Sequence, residues 1–373
     1  MGATADGAGE GRDEPLSDLR LVDYAPRSTL RRPATFVDRP AHPVVDAHAH
    51  LGPTPFGGGW FSRPVAELLD LLGDVGVEAI VDLDGGWGEH LRTEIDHYAA
   101  VRDRVIVFAG VDYDGFALDD DFGEREAARL RDSAAAGARG LKVWKRLGLR
   151  ARDRRGRLVA VDDPRLEPLW STAGGLGLPI LIHVGDPIAF FLPLDRHNER
   201  YEELVEHPDW HFWPPRRGAA AEPDEPGFAT FDEVMAAFRR VVEAHPTTTF
   251  IGAHVGCAAE DLGWVSEMLD ACPNYAVDLA ARLGELGRQP YTARDFFIRY
   301  QDRIVFGTDG DPDPREYRRW YRFLETRDES FDYGGHEVPA QGRWQIHGIG
   351  LPDEVLGKIY GENARRILGL AHL

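Results

Sequence analysis

Residues 43–50, Pro-Val-Val-Asp-Ala-His-Ala-His, open the first stretch of the chain that reads as a buried strand. Side chains two apart on a strand point the same way, so His48 and His50 converge on one side of it. Two imidazoles so placed form half a metal site, because neutral imidazole is the commonest protein metal ligand. Taken alone, the pair fits a hydrogen-bonded surface or core pair equally well.

Further apolar runs rich in Val and Ile follow at 79–83, 105–111, 140–144, 179–183, 249–254, 275–279 and 304–308. Between them, 63–75, 123–136, 231–244 and 260–271 place apolar residues at three- and four-residue spacing, as amphipathic helices do. Eight such alternations predict an α/β protein, a (β/α)8 barrel, rather than an open doubly wound sheet. Two connections, 186–227 and 326–347, are too long for simple loops. Both follow strands, so they belong to the face on which barrels build their sites. The expected domain therefore spans 43–373 with these two insertions, preceded by a flexible or surface-draped extension over 1–42. In 352–368, Val355, Leu356, Ile359, Tyr360, Ala364 and Ile367 share a helical face expected to pack on the outside of the barrel. The Gly-rich 174–179 ends a helix and precedes a strand, the reverse of a dinucleotide-binding fingerprint, so no organic cofactor is expected.

Composition narrows the partners. With 43 Lys and Arg against 63 Asp and Glu, the net charge of -20 opposes binding to nucleic acid or anionic membranes. Cys257 and Cys272 are too few for a disulfide framework or a zinc ribbon. The polar, acidic start lacks the features of a secretory signal, and no apolar run is long enough to span a bilayer, so a cytoplasmic location is expected. The partner is then a small-molecule substrate, anionic or aromatic in character.

Other runs end in ligand-type residues: His183 after the fifth, His254 after the sixth and Asp309 after the eighth. Each could separately be a helix cap or a hydrogen-bonded buried group. Their recurrence at strand ends instead favours a shared site. His48-Ala49-His50, His183, His254 and Asp309 together resemble the metal-site signature of the amidohydrolase superfamily, in the branch that contains the aminocarboxymuconate-semialdehyde decarboxylase type. The resemblance runs from about residue 43 to 370, and its ordered set is specific for superfamily but weak for reaction.

The resemblance implies one or two divalent ions, zinc first and iron or manganese as alternatives. It makes His48, His50, His183 and Asp309 metal-proximal, with His254 polarising substrate or binding a second ion. Asp309 would accept a proton from the attacking water and pass it to the leaving group. Lys142 stands where related binuclear enzymes carry a carbamylated lysine, and its burial among Val143 and Trp144 demands carbamylation, an ion pair or an anionic substrate group. The implied reaction is hydrolysis of a C–N or C–O bond. Decarboxylation or hydration, and oxidation by a nonheme diiron monooxygenase in natural-product biosynthesis, are the alternatives. A non-catalytic metal-binding scaffold is the competing class. Barrels of this family often self-associate, so a homo-oligomer is expected.

Substrate contacts are expected from Trp60, Trp144, Phe190, Phe191 and Arg282, although the aromatic residues could equally anchor the insertions. Asp278 could orient a ligand histidine, and Arg282 could hold a substrate anion. Cys257 reads as a small buried hydrophobe before a thiolate ligand. The basic run Lys145, Arg146, Arg150, Arg152, Arg154, Arg155 and Arg157 could draw in an anion such as a coenzyme A thioester, but a solvated face is favoured.

Overall fold

The computed structural model describes residues 19–20, 24, 28–52, 58–117, 121–214, 227–334 and 341–370. The chain divides into 1–33 and 34–373, and the second unit holds all the regular structure described below. Its strands are β1 (Val44–Ala49), β2 (Val77–Asp82), β3 (Val105–Val107), β4 (Leu141–Val143), β5 (Ile180–Ile182), β6 (Phe250–Gly252), β7 (Tyr275–Asp278) and β8 (Ile304–Val305). Every expected apolar run overlaps one, although β2 begins two residues before its run. All pair in parallel, as β1-β2-β3 and β4-β5-β6-β7-β8.

Both seams between these ladders are stitched by backbone hydrogen bonds. Ala109 N donates to the Gly140 carbonyl at 2.9 Å and Lys142 N to the Ala109 carbonyl at 2.7 Å, while Ala47 N reaches the Phe306 carbonyl at 2.9 Å. The result is a (β/α)8 barrel. Val45, Ala47, Ala79, Val81, Ile106, Phe108, Leu181, Ile251 and Val305 meet inside it in one apolar cluster, so the lumen is a filled core. A larger shell between strands and helices buries the other face of each strand, which is why these strands read as unbroken apolar runs.

A bulge in β1 sets the site. Asp46 pairs with Ile80 but Ala49 with Asp82, so β1 spends one extra residue there. Val45 and Ala47 face the lumen, whereas Asp46 turns outward to accept from the Tyr317 hydroxyl at 2.8 Å and from the Thr308 hydroxyl at 2.7 Å. After the bulge the alternation resumes with His48 and His50 facing inward at the carboxyl end.

The carboxyl-terminal helix is continuous through a π turn at Lys358–Glu362. Its first turns pack on the barrel's outside as their periodicity implies, with Val355, Leu356, Ile359 and Tyr360 in the outer shell, whereas Ala364 and Leu368 join the lumen cluster. Arg365 pairs with Glu78 at the start of β2, so the helix stoppers the end opposite the histidines. Helical periodicity identifies which face is buried, not what buries it.

Residues 35–42 are tied down by Thr35 on Asp328 (2.6 and 2.9 Å) and Ala41 N on Glu325 (3.0 Å). The two insertions are joined around the helix Leu283–Arg288 that follows β7. Arg200 of the first is held between Glu203 and Glu285, Arg288 pairs with Glu199, and Arg343 of the second pairs with Glu202. Among the described residues, no helix is long and apolar enough to cross a membrane.

Candidate metal centre

Every strand except β3 delivers a polar side chain to the carboxyl end of the lumen. His48 and His50 come from β1, Asp84 from just after β2, Lys142 from β4 and His183 from just after β5. His254, Asp278 and Asp309 follow from β6, β7 and β8. Asp309 Oδ1 lies 3.0 Å from His48 Nε2 and 3.2 Å from His50 Nε2. Its Oδ2 lies 3.7 Å from His254 Nε2, which in turn is 3.3 Å from His183 Nδ1.

The far side of each imidazole is committed. His48 Nδ1 donates to Asp278 Oδ2 at 2.8 Å, and His50 Nδ1 to Asp84 Oδ1 at 2.8 Å. His254 Nδ1 donates to the Ala280 carbonyl at 2.9 Å, and His183 Nε2 sits 3.3 Å from Asp186 Oδ1. These partners leave lone pairs on His48 Nε2, His50 Nε2, His254 Nε2 and His183 Nδ1 facing one another and an ionised carboxylate. Against these acceptors the described side chains bring only the Lys142 ammonium, on His48 Nε2, and a proton that Asp309 and Asp84 hold on His50, so the cluster favours a cation. Ligand atoms ~2.05 Å from a tetrahedral ion lie roughly 3.3 Å apart, which is the spacing found here, so the donor set fits a divalent ion.

Among the described residues, two triads come within mutual ligand reach: His48, His50 and Asp309, and His48, His254 and Asp278. The second is the weaker candidate. Asp278 Oδ1 already accepts from His254 N (2.8 Å) and Ala280 N (3.0 Å), and its Oδ2 is taken by His48. A carboxylate so occupied orients an imidazole, as partners behind metal-bound histidines do.

Strained backbone surrounds the site. His254 (φ 59°, ψ 47°) and Val255 (φ 57°, ψ 43°) begin one turn of left-handed helix that continues through Gly256 (φ 66°) and Cys257 (φ 62°). Each non-glycine residue there costs roughly 1–2 kcal/mol. The turn swings His254 N onto Asp278 and its ring onto the Ala280 carbonyl. Glycine is required at 252 and 256, because a Cβ at either position would overlap the Tyr275 hydroxyl. Asp309 also has positive φ, 67°.

Burial and neighbours tune the ionisable groups. For His50, burial opposes the charged form, but Asp309 and Asp84 overcome it and raise the pKa to about 9. Burial lowers His183 to about 4, with Asp186 opposing, and pushes His254 well below its usual range. Asp309 is held well below the carboxylate range because the histidines outweigh its burial. Lys142 is lowered to about 8 by burial, against the pull of Asp309 and Asp278. Its ammonium lies 3.1 Å from His48 Nε2 and 5.0 Å from the centre of the Trp144 ring. No carboxylate comes within ion-pair range of it among the described residues, which removes one of the three compensations its burial demands.

Trp144 packs on His50 with ring centres 5.1 Å apart. Trp60 is buried, donates its indole N–H to Asp311 and lies under Arg63 at 3.6 Å. Phe190 stacks on Trp210 inside the first insertion, and Phe191 packs on Phe212 of the insertion and on Phe231 at the start of the helix that follows it. Arg282 is buried beside Ala281. Cys257 is buried with its thiol raised to about 11 by desolvation and its sulfur on the Ala253 carbonyl. Much of the basic run is engaged locally: Lys145 with Asp186, Arg146 with Asp114, Arg150 with the Asp209 carbonyl and Arg157 with Asp153. Sequence reasoning passed over Asp84 and Asp186, although they follow the apolar runs 79–83 and 179–183 by one and three residues.

The sequence profile of the amidohydrolases matches residues 45–370, and the chain therefore belongs to that family. No curated protein matches it. Similar solved structures include a dihydroxybenzoic acid decarboxylase from Polaromonas sp. JS666 with bound manganese and the inhibitor 2-nitroresorcinol (14% identity, 89% of this chain, 98% of that one, TM-score 0.52). A 2,6-dihydroxybenzoate decarboxylase complexed with 2,6-dihydroxybenzoate (16%, 88% and 100%, 0.51) and one from Rhizobium (17%, 88% and 99%, 0.50) are similar to the same degree. At these identities the likeness is one of fold. Family membership, with the donor set above, supports metal-dependent catalysis in general.

Proposed function

We propose that this chain is a metal-dependent hydrolase that opens an amide, cyclic amide, ester or lactone bond in a small organic substrate. The reading rests on His48 Nε2, His50 Nε2 and Asp309 Oδ1 meeting at 3.0 and 3.2 Å with both Nδ1 atoms held by carboxylates. These three, with His183 and His254, would hold one ion or two, zinc in the first instance and iron or manganese as alternatives. Such an ion, when bound, lowers the pKa of a water toward ~7 and polarises a carbonyl.

The chain's own residues do the rest. The Asp309 side chain is 27% exposed where those of His48 and His50 are sealed, so it meets the substrate side. Its Oδ1 is engaged by the β1 histidines. Its Oδ2 is placed to take the attacking water's proton and return it to the leaving group. His254 stays uncharged and keeps Nε2 toward the reacting centre, while Asp186 fixes the His183 ring. Trp144 shields the His50 side from bulk water. Lys142, lowered to about 8, offers neutral amine for carbamylation or, as ammonium, a contact for an anionic group.

Metal analysis of protein purified without added metal, followed by assay on lactones, esters and cyclic amides, tests the reading. The expectation is at least one equivalent of metal and turnover that Asp309→Asn abolishes while keeping most of the metal. Metal-free wild type, or an Asp309→Asn enzyme at full activity, contradicts it. A second reading, decarboxylation of an aromatic acid, is favoured by the Lys142 ammonium, which lies beside His48 without a carboxylate partner among the described residues. Release of carbon dioxide from dihydroxybenzoates, with no hydrolysis in the panel, would select it.

A further inference from the structure

The described chain buries three cations, Lys142, Arg200 and Arg282. Arg200 sits between Glu203 and Glu285, and Lys142 lies against His48. Arg282 has neither kind of partner. It is 5% exposed, its Nη1 donates to the Ala281 carbonyl at 2.9 Å, and among the described residues no carboxylate lies within 4 Å of its guanidinium. A buried guanidinium left in that state is unfavourable unless an anion arrives.

Its position says which anion. Arg282 follows β7 by four residues, just past Ala280, whose carbonyl holds the His254 ring. The carboxyl end of β7 is the end of the barrel that carries the histidines, and the charge of Arg282 bears on His254 and Cys257. Gln341 of the second insertion donates to the same Ala281 carbonyl at 3.2 Å and steadies the loop from above. Arg200 has carboxylates of its own, and Glu203 bears on Arg282 electrostatically without pairing with it, so the locus offers an unpaired planar fork and little net positive charge. That suits a monoanionic carboxylate better than a phosphate dianion.

We propose that Arg282 is the anchor for a substrate carboxylate, so that the molecules turned over are small organic acids whose reacting bond lies toward His254 and Asp309. The proposal builds on the hydrolase reading but concerns binding alone, and its test separates the two.

Calorimetric titration of acetate, benzoate and glutarate, each against its matched amide, is made on zinc-loaded and on chelator-treated protein. At least one acid should bind saturably, about ten- to a hundred-fold more tightly than its amide, as expected for charge-assisted hydrogen bonds. Arg282→Met should abolish that preference without changing metal content, and Arg282→Lys should keep part of it. Should the methionine variant fold poorly, the acid–amide comparison in the wild type and the lysine variant still decides. Equal binding of acid and amide, no saturable acid, or a preference that survives in Arg282→Met overturns the anchor. A preference present only with zinc and indifferent to Arg282 assigns the carboxylate to the ion instead. Absence of metal from the wild type would count against the hydrolase reading and leave the anchor standing or falling on the chelated protein.

Discussion

Replacing Asp278 by Asn probes how the site selects a tautomer. Asp278 is fully buried and accepts from His48 Nδ1, His254 N and Ala280 N at 2.8, 2.8 and 3.0 Å. The two backbone donors share Oδ1, so the asparagine carbonyl stays with them and its NH2 faces His48 Nδ1. A donor there forces Nδ1 to become an acceptor, moves the ring proton to Nε2 and removes the lone pair meant for the metal. Loss of such a supporting partner costs about 10- to 100-fold in metal affinity, or about 1.4 to 2.8 kcal/mol. Competition against a chromophoric chelator measures this, with circular dichroism to confirm the fold. An Asp278→Asn protein that is folded and binds metal as tightly as the wild type would refute the tautomer argument. Complete loss of metal, beyond the range given, would instead make Asp278 a ligand in its own right.

Removing a ligand outright is harsher: His48→Ala or His183→Ala should lose bound metal on dialysis, read by elemental analysis, and retention of a full equivalent in either would remove that residue from the ligand set. The metal-free protein should also lose stability with rising pH. The folded pKa of His50, about 9, lies above its ordinary 6.5, so its contribution is complete below ~6.5 and is lost as pH rises through 9, on the order of 3 kcal/mol. Lys142 has the opposite sign, its folded value of about 8 lying below 10.5, so stability returns between ~8 and ~10.5. Urea unfolding of chelated protein that is flat from pH 6.5 to 8 would contradict this. Finally, Gly256→Ala should destabilise by about 2–4 kcal/mol through overlap with the Tyr275 hydroxyl and the positive φ. Adding Tyr275→Phe removes the overlapping atom, leaves ring carbon Cζ 3.5 Å from the new methyl and should recover at least ~1 kcal/mol, whereas simple additivity of the two changes would show the clash is not there.

The barrel was legible because its strands are buried on both faces and so appear as separated apolar runs. The helix Phe231–Ala244 coincides with its expected bounds because Thr230 and Glu233 form a capping box at its start. His48, His50, His183, His254 and Asp309 meet as their strand-end positions implied. What local pattern could not convey was partnership. Asp84 and His50 are 34 residues apart and meet only once β1 and β2 are paired. The β1 bulge leaves no mark, since Asp46 and His48 look like members of one alternating face. The left-handed turn at His254 likewise includes a valine where glycine would be the signal. Phe190, Phe191 and Trp210 are apolar in either role, and local pattern does not convey that Phe190 meets Trp210 and Phe191 meets Phe212.

A crystal structure of protein purified without added metal, with diffraction recorded above and below the zinc, iron and manganese edges, tests the central claim most directly. An anomalous peak bonded to His48 Nε2, His50 Nε2 and Asp309, with His183 or His254 completing the shell, is the predicted result. A peak elsewhere, or none at full occupancy of the surrounding side chains in their present positions, would contradict it.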